Sequence, residues 1–221
     1  MPHHIRFYLD YISSNAYLAW EVLPKLAATY GASYEAVPVL FAGLLEAHGQ
    51  LGPAEVPAKA RWMGRNNLRK ASLLGLPLEP PAFHPFNPLL ALRAASVAEP
   101  IEKRNALIGA LMRGVWARGL HVSEPAVVAA LADEVGLGGA ELVARASEPA
   151  AKALLRRQTD EAIAAGLFGV PTLIVGGELF WGYDDFPYLE LYLAGKDPLP
   201  RESRWGDPIV PSARRRRFRE A

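Results

Sequence analysis

The chain has 221 residues, of which 51% are hydrophobic and 21% are charged, and its formal net charge is +1. This length and composition exclude a disordered or fibrous protein and are sufficient for one globular domain, or for a domain that carries an insertion. Cysteine is absent, which excludes disulfide exchange, cysteine-bound zinc, iron–sulfur clusters and a protein thiol as the nucleophile.

Charge is distributed unevenly along the chain. Residues 201–221 hold seven arginines and three acidic residues, so this tail is basic and the part before it is mildly acidic. A basic run can bind nucleic acid, but no basic face or aromatic platform accompanies this one, and we predict a mobile terminus without a nucleic-acid partner. No apolar stretch approaches the roughly 20 residues of a membrane helix, and no signal peptide is evident. We therefore expect a cytoplasmic protein without a membrane partner.

The N-terminal pattern predicts a strand, a helix and a second strand. Strands are expected over residues 4–10 and 34–39, with an amphipathic helix over 14–30 between them. Consecutive strands joined by a helix are expected to be parallel. Residues 41–58 are rich in Gly and Pro, and we expect a loop there with a short helical start near Leu44.

From about residue 57 to residue 166 the periodicity is helical. The predicted helices cover residues 59–74, 89–97, 101–119, 125–135, 140–147 and 149–166. Two of them begin at a Ser-Glu-Pro sequence, and we expect Ser123 and Ser147 to cap these helices with proline in the first turn.

Strand patterns return after this helical region. Two apolar runs, residues 172–175 and 178–181, flank Gly176-Gly177 and predict a β-hairpin. Asp184 is expected to cap a last helix over residues 186–193.

The predicted order of elements is βαβ, a helical region, then ββα. This order is that of the thioredoxin fold, an α/β fold, with a large all-helical domain inserted between its two halves. The predicted division is a discontinuous thioredoxin-like domain, a helical insertion and a basic tail: residues 1–56 plus 167–200, residues 57–166, and residues 201–221.

Two short segments carry the residues from which we predict a binding site. Ser13 and Ser14 lie on a strand-to-helix turn, where unpaired N–H groups and the helix dipole favour an anion such as a thiolate. Serine is also a preferred N-cap, so the turn alone predicts a helix cap. In a thioredoxin fold the proline of Val170-Pro171 is cis and faces this turn, and the preceding residue offers its backbone to an extended thiol peptide. Read alone, the same proline is an ordinary turn proline.

Four motifs follow one another between residues 4 and 200: FYLDYISSNAYLA at 7–19, FNPLLALR at 86–93, FGVPT at 168–172 and FWGYD at 180–184. Together they resemble the 2-hydroxychromene-2-carboxylate isomerases and kappa-class glutathione transferases of the DsbA-like branch of the thioredoxin superfamily. The resemblance implies a glutathione-dependent cis–trans isomerase that acts on 2-hydroxychromene-2-carboxylate or a related aromatic, conjugated acid. It also implies glutathione, or another small thiol, as the cofactor, and a homodimer.

The resemblance assigns a role to Ser13, which would be the catalytic residue. Its hydroxyl would hydrogen-bond the sulfur of glutathione and help to keep it a thiolate, because a donor near a positive helix end favours the charged form of a thiol. The backbone of Val170, just before Pro171, would pair with the cysteinyl part of glutathione.

The same resemblance implies contacts to the rest of glutathione. Tyr183 and Asp184 would bind the γ-glutamyl end, with Asp184 meeting the α-amino group, and Gln50 would make a further polar contact. Asp185 stands where relatives commonly have Arg, so the carboxylate end of glutathione loses a partner. Residues 41–45 also lack the lysine and the Asn-Arg pair with which some isomerases bind the carboxylate of their substrate.

The turn itself departs from the family pattern at two positions. Ser14 replaces the usual proline and could act as a cap or simply fill the place of that proline, and Ala16 replaces a second serine. Two other side chains are expected to be structural, although His84 could line the cleft and Trp116 could form a ligand platform.

Three functions stay open from the sequence. The first is the isomerase, and the second is a kappa-like transferase or peroxidase that uses the same serine. The third is a binding protein that keeps the thioredoxin fold without catalysis. No metal site is predicted, because no two of the 5 histidines are spaced to share a helix face.

Overall fold

A computed structural model describes residues 2–199, and a four-stranded sheet with the order β2-β1-β3-β4 lies at its centre. Strand β1 (His4–Leu9) runs parallel to β2 (Ser33–Pro38) and antiparallel to β3 (Thr172–Val175), which pairs in turn with β4 (Glu178–Trp181). The predicted parallel pair and the predicted hairpin are therefore confirmed.

Nine α-helices and two short 3-10 turns surround the sheet within the described residues. In chain order the helices are α1 Ser14–Thr29, α2 Phe41–His48, α3 Pro57–Leu74, α4 Leu89–Val97, α5 Ile101–Trp116, α6 Pro125–Glu134, α7 Gly139–Ser147, α8 Pro149–Ala164 and α9 Phe186–Leu193. Helices α3 to α8 fall between β2 and β3 in the sequence, as predicted, and we call residues 57–166 the helical block. None of the helices in residues 2–199 is long and apolar enough to cross a membrane. The predicted basic tail lies outside the described residues.

Helix α2 occupies a region that we expected to be mostly loop. Its first N–H group, that of Phe41, donates to Oδ2 of Asp10 at 2.9 Å, and it ends at Gly49, whose φ of 59° is left-handed. The carboxylate thus satisfies one of the N–H groups that have no partner inside the helix. Because this partner lies 31 residues earlier in the chain, the local pattern could not indicate it.

The predicted serine caps are wrong, although proline does occupy the first turn of both helices. The N-cap residues are Glu124 and Glu148, and neither makes a side-chain cap hydrogen bond. The hydroxyl of Ser123 donates instead to the carbonyl of Asn87, and that of Ser147 bonds back into its own helix. Each hydroxyl therefore donates to a carbonyl group instead of accepting a hydrogen bond from an N–H group of the following helix.

The C-terminal half of strand β1 is buried on both of its faces. Ile5, Phe7 and Leu9 belong to the larger hydrophobic core, whereas Tyr8 points the opposite way into a smaller core with Leu44 of α2. Successive side chains of a strand alternate between faces, so β1 is held from both sides. Its C-terminal end is consequently fixed at the place where α1 and α2 begin.

Two glycines provide a matched test of the packing in the helical block. A Cβ atom added at Gly139, the first residue of α7, would fall on the carbonyl of Ala129 in α6, whereas one added at Gly64 in α3 would meet nothing within 4 Å. We expect Gly139→Ala to lower the free energy of unfolding by about 2–3 kcal/mol through overpacking. Gly64→Ala should raise it by about 1 kcal/mol, because alanine is the better helix former. Urea unfolding measures both, and equal effects would contradict this packing.

Candidate functional site

Ser13 is the N-cap of α1, with the extended backbone (φ −100°, ψ 109°) that this position requires. Its Oγ accepts a hydrogen bond from the N–H of Ala16 at 3.1 Å and donates one to the carbonyl of Val170 at 3.4 Å. The capping role predicted for the turn is therefore real, and it belongs to the same hydroxyl that faces the second segment.

Ser14 is the first residue of α1 and not its cap. Proline is favoured at this first helical position, so Ser14 fills the place of the proline that the related motif carries. Its hydroxyl accepts a hydrogen bond from Nδ2 of Asn67 at 2.7 Å. Helix α3 is thereby tied to the turn.

The second segment is held against the turn across 157 residues of sequence. The peptide bond between Val170 and Pro171 is cis, as expected, and both residues are buried. The hydroxyl of Thr172 donates to the carbonyl of Gly169 at 2.7 Å, and the N–H of Gly182 donates to the carbonyl of Pro171 at 2.8 Å. These bonds orient the carbonyl of Val170 toward Ser13.

Tyr183 and Asp184 also lie beside the turn. The N–H of Tyr183 donates to Oδ1 of Asn15 at 2.6 Å, and Oδ2 of Asp184 accepts from Nζ of Lys70 at 2.6 Å. We expected Asp184 to cap the last helix, and this prediction is wrong. Asp184 lies in a 3-10 turn that precedes that helix.

Asp185 occupies the N-cap position of α9 without capping the helix. Its Oδ2 accepts from the backbone N–H of Trp181 at 2.7 Å. Asp185, which stands where relatives commonly have arginine, therefore forms a hydrogen bond with the last residue of β4.

Gln50 is the one predicted site residue that the structure does not connect to the others. It is exposed and follows Gly49, the C-cap of α2, and its backbone N–H donates to the carbonyl of Leu45. No hydrogen bond joins its side chain to Ser13, Val170, Tyr183 or Asp184 within the described residues. Its contact with a ligand stays a prediction.

Two side chains of the helical block form hydrogen bonds with carbonyl groups of the turn. Nε1 of Trp116 donates to the carbonyl of Tyr11 at 2.9 Å, and a ring nitrogen of His84 lies 3.0 Å from the carbonyl of Ile12. We expected both side chains to be structural, and in the structure they position the loop that carries Ser13.

Asp10 is a buried carboxyl that the sequence analysis did not single out. Besides the N–H of Phe41, it accepts from the N–H of Ile12 at 3.1 Å. Burial raises the pKa of Asp10 to about 7, against the opposing effect of the backbone hydrogen bonds from Phe41 and Ile12. The sequence could have indicated this buried carboxyl, because Asp10 directly follows an apolar strand.

The comparison with known proteins decides the family. The sequence model described as the DSBA-like thioredoxin domain matches residues 4–194. The chain belongs to this DsbA-like family. The thioredoxin fold predicted from the order of elements is therefore confirmed.

Individual relatives narrow this assignment. A 2-hydroxychromene-2-carboxylate isomerase from Sphingobium xenophagum is 31% identical over 87% of this chain and 99% of its own length. A solved structure of a 2-hydroxychromene-2-carboxylate isomerase is 28% identical and has a TM-score of 0.79, covering 87% of this chain and 95% of the other. Glutathione S-transferase kappa 1 from Rattus norvegicus is 25% identical over 96% of both chains. The chain is thus an enzyme of the 2-hydroxychromene-2-carboxylate isomerase type.

The first turn of α1 in this DsbA-like protein is rich in hydrogen-bond donors. Ser14 and Asn15 begin α1, and within residues 2–199 no backbone acceptor is found for their N–H groups. Such N–H groups, together with the hydroxyl of Ser13, suit an anion better than a cation. No group of three or more His, Asp or Glu side chains in the described residues could hold a metal ion. The arrangement is suited to hold a thiolate that the protein itself does not possess.

Asp10 makes the stability of the protein depend on pH. Between pH about 4 and about 7 the carboxyl is protonated in the folded state and ionised in the unfolded state. The folded state then binds more protons, so this group lowers the free energy of unfolding as pH rises, by up to about 1.4 kcal/mol per pH unit. Above pH about 7 both states are ionised and the dependence ends.

We expect the Asp10→Asn variant to lose this dependence. The free energy of unfolding of the natural protein minus that of the variant should fall from pH 4 to pH 7 and stay constant above it, as measured by urea unfolding at several pH values. Asparagine cannot accept from both backbone N–H groups, but that loss is the same at every pH. A difference that does not vary with pH, or rises with it, would contradict the raised pKa.

Proposed function

We propose that this protein is a glutathione-dependent cis–trans isomerase that acts on 2-hydroxychromene-2-carboxylate or a related conjugated aromatic acid. The relative from Sphingobium xenophagum bears the name of this isomerase. The observation that carries the proposal is the hydroxyl of Ser13, held between the N–H of Ala16 and the carbonyl of Val170. It lies at the N-terminus of a helix in a chain that has no cysteine.

The groups around Ser13 fit the parts of glutathione. A thiolate needs donors, which the hydroxyl and the first N–H groups of α1 supply. A cysteinyl peptide needs an extended backbone partner, which Val170 supplies. The ammonium of the γ-glutamyl end needs an acid, and Asp184 is 63% exposed at its side chain. Another small thiol would use only the first of these contacts.

The hydrogen bond between Ser13 and Val170 is suited to exchange on binding. At 3.4 Å it is longer than the 2.5–3.0 Å usual for O–H···O bonds and is therefore weak. A cysteinyl N–H would take over the carbonyl of Val170, which would free the hydroxyl to donate to the sulfur. The same hydroxyl would still accept from Ala16, so the helix would remain capped.

Bound glutathione would supply the thiolate that adds reversibly to the conjugated acid, so that the former double bond can rotate. Ser13 and the N-terminus of α1 would lower the pKa of the thiol by favouring its charged form. Val170 would fix the direction of the thiol, which raises the effective concentration of the reacting groups.

A second candidate function is transfer of glutathione to an electrophile. It is favoured by the likeness to glutathione S-transferase kappa 1, which extends over 96% of this chain. Product analysis distinguishes the two, since a transferase releases a stable glutathione adduct and an isomerase releases an isomer. A homodimer and a cytoplasmic location stay predictions, and sedimentation of the full chain tests the first.

Three serine variants test the proposed function, with conversion of the chromene followed by absorbance with and without glutathione. Ser13→Ala should lower kcat/KM by about 100-fold, comparable to the loss of one anion-stabilising donor. It should also cost about 1 kcal/mol of stability through loss of the cap. Ser13→Asp keeps an N-cap but places a negative charge beside the thiolate, and should be inactive yet stable. Ser72→Ala, at an exposed position on α3, is the control.

Two outcomes would overturn the proposal. One is chromene conversion that does not depend on glutathione. The other is Ser13→Ala activity equal to that of the Ser72→Ala control. Loss of folding in Ser13→Ala would leave the Ser13→Asp comparison decisive, because that variant retains the cap.

A further inference from the structure

Lys70 is a cation that sits at the edge of the site. It lies about one helical turn after Asn67 on α3. Asn67 donates a hydrogen bond to Ser14, in the turn that carries Ser13. Nζ of Lys70 is 2.6 Å from Oδ2 of Asp184, and its side chain is only 12% exposed, against 63% for Asp184. Most lysine side chains are largely exposed, so this ammonium group is held in place by the fold.

The ammonium group of Lys70 could supply the positive partner that a bound γ-glutamyl carboxylate would need. By the proposed function, Asp184 meets the α-amino group of the γ-glutamyl end, and the α-carboxylate on the same carbon needs a positive partner. Asp185 cannot be that partner, because it is an acid and already accepts from the N–H of Trp181. Lys70 is the lysine that contacts Asp184 directly.

We propose that Lys70 binds the α-carboxylate of the γ-glutamyl group while Asp184 binds its α-ammonium group. This inference rests on the proposed function, since it names the partner of one end of the thiol cofactor. The ammonium and carboxylate of an α-amino acid are separated by one carbon, so an adjacent lysine and aspartate can contact both. Each of the four charges would then lie next to charges of opposite sign.

Lys70 and Asp184 both have hydrogen-bonding capacity left for a ligand. Lys70 donates one of its three N–H groups to Asp184, and no other acceptor for Nζ is found among residues 2–199. Oδ1 of Asp184 likewise has no donor in that part of the chain. An exposed ion pair contributes little to stability by itself, but one that is already ordered lowers the entropy cost of binding a ligand.

The position of the pair also limits the length of the ligand. Asn67 and Lys70 are separated by about 4.5 Å along the helix axis, and Asn67 contacts Ser14. On the other side, Asn15 holds the backbone of Tyr183. The pair is therefore anchored to the turn from two sides, which selects a thiol whose amino-acid end lies at one fixed distance from the sulfur. Thiols without a γ-linked amino acid would lose this contact.

A cycle of variants and ligands tests the role of Lys70 in the full chain. Calorimetric titration would compare glutathione with 4-aminobutanoyl-Cys-Gly, which is glutathione without the α-carboxylate. The natural protein should bind this analogue about tenfold more weakly, as expected for one charge-assisted hydrogen bond. Lys70→Met should bind glutathione about tenfold more weakly than the natural protein does. The variant and the natural protein should bind the analogue with the same affinity. Lys25→Met, an exposed position on α1, is the matched control.

The outcomes separate this inference from the proposed function. If the natural protein binds glutathione but Lys70→Met weakens both ligands equally, Lys70 has only a structural role and the inference is overturned while the proposed function stands. If the natural protein binds no glutathione, the proposed function fails and the inference fails with it. Should Lys70→Met not fold, Asp184→Asn provides the complementary cycle with glutaryl-Cys-Gly, which lacks the α-amino group. Equal affinity of Asp184→Asn and the natural protein for glutathione would also overturn the proposal that Lys70 and Asp184 bind the γ-glutamyl group together.

Discussion

The site depends on the N-terminus of α1, where the helix has N–H groups that its own backbone cannot satisfy. Ser13 satisfies that of Ala16 and at the same time reaches the carbonyl of Val170. One hydroxyl therefore joins the two halves of a discontinuous thioredoxin fold at the point where a thiol would bind. In a chain without cysteine, the donors at this helix end are suited to a thiolate that the protein itself does not supply.

Most elements of the fold could be predicted because their causes are local. The Gly176-Gly177 pair, for example, separates the two apolar runs that form the hairpin. Helix α2 was predicted only as a short helical start near Leu44, because Asp10, a residue of a different element, satisfies its first N–H. Ser123 was mistaken for a cap because the competing carbonyl of Asn87 is 36 residues away in the chain. These two errors arose because the polar group had a distant partner, whereas Ser147 failed as a cap for a local reason, since its hydroxyl donates to a carbonyl of its own helix.

The candidate site divides in the same way. Ser13 and Val170 could be recognised because the thioredoxin order of elements predicts that their segments meet. Asn67 and Lys70 could not, since α3 is mostly exposed and its polar residues have the pattern of a solvated helix face. Their importance comes from contacts with Ser14 and Asp184 across 53 and 114 residues, which no periodicity records.

The hydrogen bonds from Trp116 and His84 to the carbonyls of Tyr11 and Ile12 have an electrical consequence. Carbonyl oxygens carry partial negative charge, and two of them stand immediately before the helix end that would hold an anion. Because each of these carbonyls accepts a hydrogen bond from a side chain of the helical block, the turn presents mainly N–H and O–H groups beside Ser13. The helical block thus sets the polarity of the turn that carries Ser13.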